Sequence, residues 1–463
     1  MELSRAAIFI EQALVKFPSI EIYPVSNENL NADFVLIDNE NVSDISDEKT
    51  AVIERGSLNN IIFFRGDIEY KLSQNNHLTI ATAVQTNTAF VQRFLQKALP
   101  NISRNPISIS FLTEQTDLEK LLVEFTENLY DGLLIPLADV VSLLKYSPAK
   151  QTINDVLKQK KYMMLPLFEC PPVAAQSAFI VAASANNATA LSIVHALNNA
   201  VSKTAIQKEL HQEFYPPQQL EQLGIFHLDT AYTSFTYALG INGNNEELVH
   251  WDFEMDLDIE GKNLFASTDF MKDFFSYRFI ENTTIDKNVK AVFIASHKAI
   301  HTQDLIDQIS AKSVWAAGSR TWYDLAKKGI WVNGCADGLG LETLSSIFSS
   351  PVVNLSKENM QIVTNTSGCG HWNIEGWKTL GTYELEDTHS GQIADKIAKA
   401  DIVFWSSFQQ YQSYKKYIRE KTIHLSPAGK TAKLLFAEGL QPITFPTIKA
   451  FNDWRKNNHF IIN

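Results

Sequence analysis

The chain is poor in cysteine and in positive charge, and it has no long apolar run. Its three cysteines, Cys170, Cys335 and Cys369, are widely spaced. That excludes a disulfide scaffold and leaves no pair at zinc-knuckle or redox spacing, so reduced thiols in a cytoplasmic protein are expected. Lys and Arg number 40 against 52 Asp and Glu, a formal net charge of -12. Nucleic acid is not an expected partner, because neutralising phosphates needs a basic stripe. The most apolar stretch, YMMLPLFECPPVAAQSAFIVAA, is interrupted by Pro166, Glu169, Pro171 and Pro172. A membrane span needs a longer unbroken run, so no membrane contact is expected. The opening MELSRAAIFIEQALVKF sets apolar residues at helical spacing among charged ones, which predicts an amphipathic helix rather than a signal peptide.

Several catalytic signatures are missing as well. There is no GxSxG elbow and no GxGxxG dinucleotide turn. PAGKTA resembles the end of a phosphate loop, but the glycine required five positions before Gly429 is His424. His297 and His301 are four apart, yet no nearby carboxylate or cysteine completes a metal set, and a solvated helix face is the simpler reading. Cys369 and His371 have no orienting partner and read as loop residues.

What the chain does have is layered patterning. At 463 residues, 45% hydrophobic and 20% charged, it is globular and long enough for two or three domains. Apolar runs alternate with helical patterns, as in LTIATAV then TNTAFVQRFLQKAL, and KAVFIAS then HKAIHTQDLIDQI. That predicts α/β layers with largely parallel strands. The stretch from Ile225 to Asp258 differs: strand, turn, strand, with GINGNNEE supplying the turn. It predicts a small antiparallel sheet after the helix VSKTAIQKELHQEF, which Pro216 and Pro217 end. The α/β pattern resumes at Lys262, so a boundary falls near Gly261.

Beyond that boundary lies an internal repeat. One copy runs AVFIASHKAIHTQDLI then SVWAAGSRTWYDLAKKG; the other runs DIVFWSSFQQYQSYKKY then TIHLSPAGKTAKLLFAEG. Ser296 matches Ser406, Thr321 matches Thr431, and Gly329 matches Gly439. Hydroxyls in such positions suit helix caps, and free N–H groups at helix starts bind anions. Capping alone would account for these hydroxyls.

SVWAAGSRTWYDLAKKG followed by GLGLETLSSIF, then TLGTYELEDT, IVFWSSFQQYQSYKKY and TIHLSPAGKTAKLLFAEGLQPITFPTIKAFNDW, resembles in order and spacing the uroporphyrinogen-III synthase family. The resemblance runs from Lys262 nearly to the end, with a first unit, NLFASTDFMKDFFSYRFIENTT, shorter than the family's. It implies two α/β domains joined by a two-stranded hinge, with the active site between them and no cofactor. The substrate would be hydroxymethylbilane, a linear tetrapyrrole, closed to uroporphyrinogen III with inversion of the last ring and loss of water. Tyr383 falls on the family's recurrent tyrosine and would assist departure of the hydroxyl, although a packed hinge tyrosine is an equal reading. Ser296, Ser319, Thr321, Ser406, Ser407, Lys430 and Thr431 would bind carboxylates.

The N-terminal part resembles porphobilinogen deaminase, also called hydroxymethylbilane synthase. The resemblance rests on AVIERGSLNNIIFFR, LTIATAVQTNTAFVQRFL, YDGLLIPLADVVSLL and MLPLFECPPVAAQSAFIVAA, in that order. It implies periplasmic-binding-protein-like α/β domains over residues 1–215, a small α+β domain over 216–260, and the synthase-like region over 261–463. The family's chemical groups are absent. Its arginine pair falls on Gln85 to Thr88, its Arg-Gly-Asn near Gln115, Thr116 and Asp117, and its Lys-Asp near Glu40 and Asn41. Its cofactor-bearing cysteine falls around His227 to Thr230, where no cysteine stands. Without that thiol the dipyrromethane primer has no anchor, and without arginines a carboxylate-rich chain lacks charge-assisted partners. This half is expected to keep the fold without deaminase activity. Two functions remain open: a working synthase, or an inactive tetrapyrrole-pathway protein that binds or scaffolds a genuine hydroxymethylbilane synthase.

Overall fold

A computed structural model describes residues 2–19, 32–37, 42, 44–74, 77–82, 87–100, 107–113, 118–127, 129–184, 187–212, 220–252, 259–458 and 460. It is a mixed α/β protein, with five sheets among the described residues. The opening helix Glu2–Lys16 lays Phe9 and Ala13 against a three-stranded antiparallel sheet of Phe34–Ile37, Ala178–Ala183 and Thr50–Arg55. A second sheet orders Ser108–Thr113, His77–Thr82, Gly132–Pro136, Asn60–Phe64 and Lys161–Met164. Its strand Asn60–Phe64 (NIIFF) is buried along its whole length because it lies between two neighbours with both faces covered, which is why it reads as a continuous apolar run. Leu220–Asp229, Ser234–Asn242 and Glu247–Trp251 form an antiparallel meander, its last turn falling in GINGNNEE.

Two further sheets follow. A four-stranded parallel sheet orders Leu264–Ala266, Ile402–Phe404, Ile423–Pro427 and Ile443–Phe445. A six-stranded sheet orders Phe275–Phe279, Lys378–Asp387, Met360–Asn365, Ala291–Ile294, Ser313–Ala316 and Gly334–Cys335. The chain thus leaves the first of these after one strand, builds the second, and returns. The antiparallel pair Phe275–Phe279 and Lys378–Asp387 lies where it crosses.

Packing crosses the sequence boundary near Gly261. The edge strand Lys161–Met164 meets the edge strand Gly334–Cys335. Met164 N donates to Asn333 O at 2.7 Å, while Asn333 Nδ2 and Trp331 Nε1 donate to Tyr162 O at 3.2 and 3.1 Å. Two open edges are thereby covered by each other. Gly334 is required there, because a Cβ would stand 2.4 Å from Trp315 Cζ3 and 3.1 Å from Met164 Cβ. Behind this seam one apolar core holds Ile62, Phe64 and Phe94 together with Ile294, Val314 and Trp322. The Trp322 indole stacks edge-on to Phe94 at 5.0 Å and donates to Ala98 O at 3.1 Å.

Candidate functional site

Tyr383 sits where strand Lys378–Asp387 changes partner. It pairs with Asn365 on the parallel side and with Phe279 on the antiparallel side. Only 4% of it is exposed. Burial pushes its pKa up, and hydrogen bonds to the side chains of Asn365 and Ser296 oppose that. Asn365 ends its parallel strand and Ser296 lies just beyond another, at the edge where ligands of open α/β sheets bind, while Tyr383 stands where the parallel pairing of its own strand stops. Tyr277 lies 6.1 Å from Tyr383, ring to ring, with Lys298 Nζ 3.3 Å from the Tyr277 ring centre. The structure therefore brings Ser296 and Tyr383 together, and Ser296 Oγ also accepts from Lys298 N at 3.4 Å.

Asn365 was not anticipated. Its Oδ1 caps the helix Thr366–Ile374, accepting from Gly368 N at 2.7 Å, and it also accepts from Ser367 Oγ at 2.7 Å. From the four-stranded side, Gln409 Nε2 donates to Asn365 Oδ1 at 3.2 Å and to Ser367 Oγ at 2.8 Å. The local signal was present in TNTSGCG, where a strand runs into Asn-Thr-Ser-Gly. Gly381 allows the close fit, since a Cβ there would lie 3.1 Å from Thr366 Cα.

Ser406 and Ser407 lie just before the helix Phe408–Tyr414 on the facing side. Ser407 caps it in a box with Gln410. Ser406 Oγ donates to Gln410 Oε1 at 2.8 Å and its N–H donates to Ser267 Oγ at 2.8 Å. Both serines already have partners, and Ser267 is a further hydroxyl at this place.

The remaining candidates cluster around Gly338. Helices Ser319–Ala326 and Lys430–Ala437 are capped by Gly318 and Gly429 without any side-chain cap bond. This corrects the assignment of Thr321 and Thr431 as caps: they stand inside the first turn. The physical reason is crowding. A Cβ on Gly429 would fall 2.0 Å from Gly338 O, whereas one on Gly318 would make an ordinary contact, 3.4 Å from Gly338 N. The AGSRT and SPAGKT turns therefore meet across the backbone of Gly338, not across an open cleft. The loop between them uses left-handed backbone at Asp337, Gly338 and Gly340. Ser319, Thr321 and Thr431 are half-buried. Lys430 lies with Nζ 3.6 Å from the Trp372 ring centre, and burial lowers its pKa to about 8 against the pull of Glu375 and Glu342. Lys433 bridges Glu342 at 2.6 Å and Glu375 at 3.2 Å.

Two other expectations change. His297 and His301 do not share a helix: His297 belongs to a short 3-10 turn, with Nδ1 3.2 Å from Asp324 Oδ2, and His301 follows it, stacked 4.6 Å from Phe279. Cys369 and His371 are helical rather than in a loop, because Asn365 starts a helix there. No group of metal-ligating residues occurs among the described residues, nor any helix long and apolar enough to cross a membrane.

In the N-terminal part, Glu40, Asn41, Gln85, Gln115, Thr116 and Asp117 lie outside the described residues. His227 is buried; its Nδ1 is 3.1 Å from Thr236 Oγ1 and its N–H donates to Glu209 Oε1 at 2.7 Å. Arg55 is consumed by a buried two-point pair with Glu209, both contacts at 2.8 Å.

The arrangement defines a mixed α/β protein with a polar seam between two of its sheets. No protein-family model and no curated protein matches the chain. Among solved structures it is similar to uroporphyrinogen-III synthetase from Helicobacter pylori, at 13% identity and a TM-score of 0.28, over 40% of this chain and 90% of that one. A likeness of that size carries no argument, so function rests on this chain's own residues.

Proposed function

We propose that residues 261–463 act as a uroporphyrinogen-III synthase and that residues 1–215 and 216–260 are a deaminase-like region without deaminase activity. The observation that carries the reading is the Tyr383 phenol, buried at the seam with the side chains of Ser296 and Asn365 beside it. A phenol is already protonated at neutral pH, as a donor must be, and burial does not change that. In hydroxymethylbilane the hydroxyl leaves as water to give an azafulvenium, and the phenol would donate to the departing oxygen. Ring closure with inversion then passes through a spiro intermediate. The free substrate closes without inversion, so the chief task is holding a conformation. Carboxylates of the substrate would meet Ser319, Thr321, Lys430 and Thr431, where free helix-start N–H groups add to the attraction. Ser296, Ser406 and Ser407 would receive others after giving up present partners.

The test is a coupled assay. A genuine hydroxymethylbilane synthase supplies the bilane and the ratio of isomer III to isomer I is scored. Excess isomer III supports the reading; isomer I alone refutes it. A second reading, an inactive protein that binds a tetrapyrrole or scaffolds a genuine hydroxymethylbilane synthase, draws on the contact of Gly338 with Gly429 and on Gln409 bonded across the seam. A substrate must part these to enter.

A further inference from the structure

The N-terminal half touches both sheets of the C-terminal part, on separate surfaces. Its five-stranded sheet shares a buried core and an edge seam with the six-stranded sheet. Its antiparallel meander packs on the four-stranded sheet instead. There Trp251 meets Phe445 at 5.2 Å, Tyr232 meets Phe436 at 5.6 Å, Thr233 Oγ1 bonds Thr444 Oγ1 at 2.8 Å, and Glu247 pairs with Lys449 at 3.1 Å. These two contact surfaces are tied to each other within the N-terminal half. Asn87 Nδ2 donates to Leu223 O at 3.0 Å, Ile225 N donates to Pro172 O at 2.7 Å, and Arg93 pairs with Glu247 at 3.0 Å. Phe90 and Phe168 join the meander's core of Phe226, Phe235 and Tyr237.

The C-terminal sheets also touch one another directly, as where Lys430 lies over Trp372 and His371 beside Phe408. The chain crosses between them twice, and their direct contacts include the Gln409 bonds and the partly exposed Lys433 pairs. Exposed ion pairs contribute little, and two sheets joined by two crossings are built to hinge. One loop touches every part. The Asp337 carboxylate accepts from Leu167 N at 3.0 Å, Leu339 packs into the meander's core, and Gly338 presses on Gly429.

We propose that the N-terminal half is a brace: it holds the four-stranded and six-stranded sheets at one fixed separation and so sets how far the seam beside Tyr383 opens. The N-terminal half then has a mechanical use. The assignment does not depend on the reaction proposed above.

The test uses the full chain with Cys369→Ser. Spin labels go on Ile374→Cys, a site 88% exposed on the six-stranded side, and on Glu420→Cys, exposed on the four-stranded side. Pulsed distance measurement should give one narrow peak. Tyr232→Ala with Thr233→Val and Lys449→Glu, all at the rim of the contact, should cost the narrow peak and add longer distances, with circular dichroism unchanged. Trp251→Ala should do the same, and if it unfolds the rim variant decides. A broad distribution in the unmodified pair, or a narrow one that survives the rim variant, overturns the brace. Neither outcome bears on isomer ratios, so the proposal and the synthase reading fail separately.

Discussion

Gln409 reaches across the seam to Asn365, its Nε2 3.2 Å from the oxygen that caps the helix beside Tyr383. The same amide oxygen thus serves a helix start and a contact between sheets, while Asn365 stands opposite Tyr383 in the strand register. A change at either residue is felt at Tyr383.

Tyr383→Phe removes the phenol and keeps the ring. Under the synthase reading it should lower kcat by about two to four orders of magnitude, the usual contribution of a well-placed general acid. Positioning by the rest of the seam remains, so isomer III should still form. Wild-type turnover in this variant would remove Tyr383 from the chemistry.

Thr431→Ala should weaken substrate binding, raising KM with little change in kcat. Because Gly429 caps the helix and the Thr431 side chain makes no cap bond, the melting temperature should stay the same. A drop in melting temperature would assign the hydroxyl a structural use instead.

Lys430 has a folded pKa of about 8 against an ordinary 10.5. Below pH 8 it is charged in both states and the burial penalty is fully present. Between about 8 and 10.5 the unfolded chain binds the extra proton, so stability rises with pH. Lys430→Met should therefore melt higher than the wild type at pH 7, with the gap closing as pH passes 10. An unchanged gap across that window would show that the cation bears no burial penalty.

Asp337 has the opposite slope. Burial raises its pKa from 3.8 to about 7, with N–H donors from Leu167 and Phe168 pulling the other way. The folded state holds the proton longer, so its contribution to stability is full below pH 3.8 and is lost as pH rises through 7. Asp337→Asn should gain on the wild type between pH 5 and pH 8 in parallel melts. A constant difference would mean the carboxylate stays charged throughout.

Gly334→Ala should destabilise by about 1–3 kcal/mol, the usual cost of overpacking, because Trp315 and Met164 both occupy the space a methyl needs. Urea midpoints measure it. A neutral result would mean the two edge strands part easily.

Local patterning foretold much of this. KAVFIAS contains the strand Ala291–Ile294, GINGNNEE is the meander's turn, and TLGTYELEDT lies in the strand that carries Tyr383. The misreadings share one cause. A hydroxyl near a helix start looks like a cap, and only the approach of Gly338 from elsewhere in the chain makes glycine necessary at 429. Asn365 drew no reading because Gln409 and Tyr383, which give it meaning, are 44 and 18 positions away. The core shared by Phe94 and Trp322 has no local signature at all.

The pairing of Met164 with Asn333 also has a consequence for synthesis on the ribosome. Strand Lys161–Met164 is complete long before Gly334–Cys335 exists. At typical elongation rates its open edge must wait on the order of ten to thirty seconds for its partner. During that interval it is a template for any other strand, including the same edge on a neighbouring nascent chain. Slower translation lengthens that exposure and should lower the yield of folded protein.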